Sequence, residues 1–118
     1  MINPAAPLPG TPLCRLDELD DPGSRGFNWR HEGALFMGFV VRRGDTVRGY
    51  VDRCPHAGFP LSMVEHRYLT SDGRAILCQA HGALFEPLAG GCLAGPGQTG
   101  ALTPWPVRVD AAGLIRVD

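Results

Sequence analysis

Four side chains in two short loops carry the chemistry of this chain. Cys54-Pro55-His56 is followed, after 21 intervening residues, by Cys78-Gln79-Ala80-His81. Each loop therefore offers one thiolate and one imidazole, the ligand types of zinc and iron centres. A C₂H₂ zinc finger orders its ligands differently, with both Cys in one knuckle and both His on a helix. A structural zinc site is the rival reading of the same four residues. Gly58 and Gly82, close behind the two His, allow tight turns that aim backbone amides inwards. Downstream, Gly95-Pro96-Gly97 is stiff and tightly turned.

The motif, together with Cys54 to Leu61 and Cys78 to Pro87 as they stand here, resembles the Rieske family. In that family His₂ replaces Cys₂ on one iron of a [2Fe–2S] cluster. The likeness runs from about Pro12 to Asp118 and is greatest to the soluble Rieske-type ferredoxins. It implies an all-β fold: an antiparallel β-sandwich with a small inserted cluster-binding subdomain, ligand loops at about 53–61 and 77–87, and a covering loop at about 94–98. It also implies that Cys54, His56, Cys78 and His81 bind the cluster and that Leu61, Phe85 and Pro96 shield it. The imidazole edges of His56 and His81 would be the exit path for the electron.

Departures from the family's high-potential branch are informative. That branch carries a disulfide whose two positions are Phe59 and Ala80 here, and hydroxyl donors to cluster sulfur whose positions are Ala83 and Phe85. Hydrogen bonds to the sulfurs stabilise the reduced cluster, so their loss lowers the potential. The resemblance thus implies a low-potential, one-electron carrier and not an enzyme, working between a flavoprotein reductase and an oxygenase or similar acceptor. A permanently docked Rieske subunit of a larger oxidoreductase is the alternative.

Size and composition bound the rest. With 118 residues there is room for one core, and none for an additional mononuclear iron domain. A single domain over 12–118 and a flexible N-terminal arm over 1–11, rich in Pro, Ala and Gly, are expected. Eleven Arg, no Lys and 12 acids leave a formal charge of −1, which gives no basic field for nucleic acid. The longest apolar run, Ala34 to Val41, suits a buried strand and is too short for a bilayer. The N-terminus lacks the basic and apolar regions of a secretory signal, so a cytoplasmic protein, monomeric or weakly oligomeric, is expected. Cys14 and Cys92 are expected as thiols outside the ligand set, and His31 and His66 as surface histidines.

The elements that must position the loops are legible as strands. Leu13 to Leu16 predicts a short one, followed by an acidic turn from Asp17 to Gly23. Ala34 to Val41, apolar on both faces, predicts a central strand, and Gly44-Asp45 turns it into Val47 to Asp52, which delivers Cys54. Leu61 to Thr70 reads as a longer connection with room for a helical turn. Asp72-Gly73 signals a type I′ hairpin into Ala75 to Gln79. Trp105, Val107 and Val109 alternate as a half-buried strand, Pro104 and Pro106 mark it as an edge, and Gly113 turns into a last strand from Leu114 to Val117.

Overall fold

The computed structural model describes residues 3–53, 60–61, 66–78, 82–94 and 100–118. Among these it contains nine strands and one 3₁₀ turn: β1 (Pro12–Arg15), the turn Leu16–Glu18, β2 (Gly23–His31), β3 (Ala34–Arg43), β4 (Thr46–Val51), β5 (Ile76–Leu77), β6 (Leu84–Phe85), β7 (Cys92–Ala94), β8 (Val107–Val109) and β9 (Leu114–Val117). They form three antiparallel sheets of three strands, ordered β1-β9-β8, β2-β3-β4 and β5-β6-β7. The first two make the base and the third carries the second ligand loop.

β3 explains the architecture. Side chains alternate across a strand, and here Phe36 and Val40 enter one hydrophobic core while Phe39 and Val41 enter another. The continuous apolar run therefore reflects burial on both faces, as expected of a central strand. β4 divides in the same way, with Val47 in the base core and Tyr50 in the core that also holds Leu61 and Cys78.

The base core is built around Trp105, whose ring meets Phe36 at 5.3 Å, Trp29 at 5.8 Å and Phe27 at 6.3 Å between centroids. Such tilted and edge-on contacts suit the ring quadrupoles. Gly38 makes the approach possible, since a Cβ there would lie 2.5 Å from the Trp105 ring. The chain before β8 lies along β4, with Val51 N–H donating to Thr103 O at 2.9 Å and Trp105 N–H to Gly49 O at 2.8 Å. β8 itself occupies the edge that the flanking prolines indicate.

Two local features differ from the sequence expectation. β2 was not foreseen, and it meets β3 in the register His31 opposite Ala34 through Glu32 and Gly33, at φ 49° and 81°. Positive φ at both central residues is the signature of a type I′ turn. At the expected I′ site only Gly73 has positive φ, at 71°. Thr70 N–H bonds to Ala75 O across a longer loop, and the Asp72 carboxylate accepts from Thr70 Oγ1 and Arg74 N–H. The Asp side chain organises that turn through local hydrogen bonds in place of the I′ backbone.

Residues 3–11, whose composition reads as a flexible arm, lie against the base. Ala5 is buried, Asn3 Nδ2 donates to Leu35 O at 3.0 Å, and Gly10 N–H donates to Val117 O at 2.7 Å. The acidic turn expected after β1 opens as a 3₁₀ turn, fixed by Arg15 N–H donating to the Glu18 carboxylate and by Arg42, which donates to Leu16 O and Leu19 O.

Candidate functional site

The stems of both ligand loops end in one apolar cluster. Cys78, Leu61, Ala83 and Phe85 are each fully buried there, against Phe39, Tyr50, Tyr68 and Ile76. Cys78 is the ligand candidate within the described residues. Cys54, His56 and His81 lie outside them, as do Phe59, Ala80, Pro96 and the 62–65 part of the expected helical turn.

The second loop is closed by its own main chain. Cys78 N–H donates to Ala83 O and Gly82 N–H to Cys78 O, both at 2.8 Å, and Gly82 takes a φ of 73°, which a side chain would resist. β5 and β6 then pair as Ile76 with Phe85 and Leu77 with Leu84. A hairpin whose root is stitched by backbone bonds holds position 78 at its inner end with little dependence on side chains.

β7 continues this sheet, pairing Leu84 with Ala94 and Phe85 with Cys92. Cys92 N–H reaches Gly100 O at 3.3 Å, and Gly91 bridges Ala101. The residues either side of the expected covering loop are thus anchored on the sheet that carries Cys78. Cys92 packs against the same core as Cys78 and its Sγ faces Ala94 O at 3.6 Å. Cys14 sits in the base core, where burial pushes its thiol above the ordinary range. His31 and His66 are exposed. His66 also has a local task, because its Nδ1 accepts from Gly26 N–H at 3.0 Å and its carbonyl accepts from Ser24 Oγ at 2.7 Å, which covers the outer edge of β2.

The first loop is closed by a side chain that motif reading passes over. Asp52, immediately after β4, is 6% exposed and is the buried charged residue among those described. Its Oδ1 accepts from Leu61 N–H at 2.8 Å and its Oδ2 from Tyr68 OH at 3.0 Å. Burial raises the Asp52 pKa, and the bonds from Leu61 and Tyr68 oppose the rise. Strand alternation was the available signal: Asp52 falls in phase with Tyr50, on the inward face. Tyr50 was overlooked as well. Its hydroxyl donates to Pro87 O at 2.6 Å, fastening β4 to the turn after β6, and burial followed by the nearby Glu86 pushes its pKa up to about 12.

A metal centre with soft ligands fits this environment. A fully buried thiol position, an apolar surround and two loop roots meeting in one core match what an iron–sulfur cluster needs for thiolate ligation and restricted solvent access. The Rieske [2Fe-2S] domain family model matches residues 11–107. The chain belongs to the Rieske [2Fe-2S] family. Its cofactor is accordingly a Rieske-type cluster, and it is an electron-transfer domain of the Rieske ferredoxin type.

Similar solved structures agree with the fold. The ferredoxin of carbazole 1,9a-dioxygenase from Nocardioides aromaticivorans IC177 is 26% identical with a TM-score of 0.66, over 91% of this chain and 96% of that one. A Sphingomonas yanoikuyae B1 ferredoxin is 22% identical with a TM-score of 0.65, over 92% and 97%. The putative NADH-dependent nitrite reductase small subunit from Mycobacterium tuberculosis is 24% identical with a TM-score of 0.61, over 91% and 91%. No curated protein sequence matches. Among the described residues no helix is long and apolar enough to cross a membrane.

Proposed function

We infer that this Rieske domain is a low-potential one-electron carrier that takes electrons from a flavoprotein reductase and gives them to an oxygenase or similar acceptor. Cys54 and Cys78 would hold one iron, and His56 and His81 the other. When bound, the cluster supplies a one-electron redox couple and no bond chemistry on a substrate. The protein's part is to keep water from the thiolate side and to fix the loops.

The observation that carries the reading is the apolar wall beside Cys78. Ala83 and Phe85, which stand where the high-potential branch has hydroxyl donors, are both fully buried in the cluster that contains Cys78. Neither side chain carries a hydroxyl that could donate to a cluster sulfur. Without those donors the reduced, more negative cluster is less stabilised and the potential falls.

The test is redox titration of the purified protein with iron and sulfide counted. Two irons and two sulfides per chain with a midpoint near the lower end of the range of about −150 to +300 mV support the reading. A midpoint above roughly +100 mV on that scale, or zinc in place of iron, overturns it.

A docked Rieske subunit is the second reading. It draws on the likeness to the nitrite reductase small subunit and on Leu93, which is 57% exposed on β7, an edge strand. Size-exclusion chromatography with and without a captured large partner separates a free carrier from a subunit.

A further inference from the structure

The two ligand loops are closed by different means. The second is closed by backbone bonds at its root, Cys78 N–H to Ala83 O and Gly82 N–H to Cys78 O. The first spans from Asp52 to Leu61, and its described closing bond runs from Leu61 N–H to the Asp52 side chain at 2.8 Å. The same carboxylate accepts from Tyr68 OH at 3.0 Å, on the segment that returns from the loop towards β5.

Asp52 is itself held on three sides. Its N–H donates to Met37 O on β3 at 2.9 Å, Tyr68 stacks flat on Phe39 at 4.2 Å between centroids with planes 1° apart, and Leu61 is fully buried. Asp52 therefore ties the beginning of the loop to β3 through its backbone N–H, and the end of the loop and the return segment to itself through its carboxylate.

We propose that Asp52 is the positioning residue of the first ligand loop, setting the placement of Cys54 and His56 by bridging Leu61 N–H and Tyr68 OH. This rests on the ligand assignment proposed above. Asp52 touches no cluster atom in the role assigned to it and acts through the loop it closes. A buried charge retained in an apolar core costs stability unless its bonds are complete. The two bonds here are directed at the loop and its return segment, whereas a purely packing role at that position would be met by Val or Leu.

The test uses the cluster-loaded wild type and the variants Asp52→Ala, Asp52→Asn, Tyr68→Phe and Val40→Ala. Cluster loss to an iron chelator is followed by visible absorbance well below the melting temperature, and the reduced protein is examined by electron paramagnetic resonance. Asp52→Ala should lose its cluster at least tenfold faster than wild type and show a shifted or broadened resonance. Asp52→Asn retains an acceptor for Leu61 N–H and an amide group beside Tyr68 OH, and should restore the rate to within about threefold and the resonance to the wild-type shape. Tyr68→Phe removes one of the two bonds and should fall between these.

Val40→Ala makes a cavity in the base core, so it should lower the melting temperature without changing the resonance. Should Asp52→Ala fail to load, growth at low temperature with Asp52→Asn as the partner comparison decides: an Asn variant that also fails to load overturns the positioning role. A wild-type rate and resonance in Asp52→Ala overturn the inference alone. A wild type lacking iron and sulfide overturns the proposed function, and this inference with it.

Discussion

Cys14 packs among Leu19, Val47 and Ile115 in the base, while Cys78 closes the inner end of a ligand hairpin. A Ser at either position is nearly isosteric, so the two substitutions separate burial from ligation. Cys14→Ser should retain iron and lose about 1–3 kcal/mol for a poorly matched buried hydroxyl, read by denaturant melts, whereas Cys78→Ser should be isolated with little or no cluster. Finding the reverse in iron assays removes the ligand assignment. At the neighbouring positions, Ala83→Ser and Phe85→Tyr should each raise the midpoint potential by some tens of millivolts through new bonds to sulfur. A low potential that neither change moves leaves the carrier intact and discards the explanation for its potential. Tyr50 offers a control remote from redox chemistry. Tyr50→Phe strands Pro87 O in a buried site and should cost about 1–3 kcal/mol in denaturant melts while leaving the cluster's absorbance in place.

Turns and strands were legible to different degrees, and the reasons are physical. β3 announces itself because both of its faces are buried, and β9 because Gly113 and the alternation after it are local signals. β2 is silent in the sequence: Ser24, Arg25, Asn28 and Arg30 read as polar loop, and its aromatic face is explained by Trp105, which is distant in the chain. The Cys/His spacing that marks the candidate ligands stands in the residues alone, but the support of the first loop does not, since a single Asp before a Cys looks like a turn residue until Leu61 and Tyr68 are brought to it. The β8–β9 turn shows how much one side chain organises. Asp110 accepts from Ala112 N–H at 2.9 Å, Leu114 N–H at 3.0 Å and Arg116 Nε at 2.9 Å, and these bonds, the one from Arg116 foremost, lower its pKa to about 2 from 3.8. The ionised form is thus favoured by folding, so its contribution is complete above about pH 4 and is lost as pH falls towards about 2. Wild type should therefore resist urea better than Asp110→Ala at pH 5, with the gap already narrowing at pH 3. A gap that widens on acidification contradicts the assignment.

Across the whole molecule, electron transfer asks for little movement, and the fold provides a stiff support. Three small sheets are fastened to one another by β3 and β4, by the 103–105 stretch running along β4, and by the Tyr50 to Pro87 bond. A purified reductase of the flavoprotein class should reduce the protein in stopped-flow mixing with a single exponential and without a conformational lag; a slow, concentration-independent phase contradicts a preformed site. β3 lends two residues to each core on alternate sides, Phe39 and Val41 to one and Phe36 and Val40 to the other. Neither half can loosen without exposing apolar surface of the other, so opening is expected to be cooperative. Iron release would then register far from the metal as faster deuterium uptake in β1, β8 and β9 and as easier proteolytic cutting. A domain stripped of its cluster by oxidants would be cleared by proteases rather than persist as a folded apoprotein.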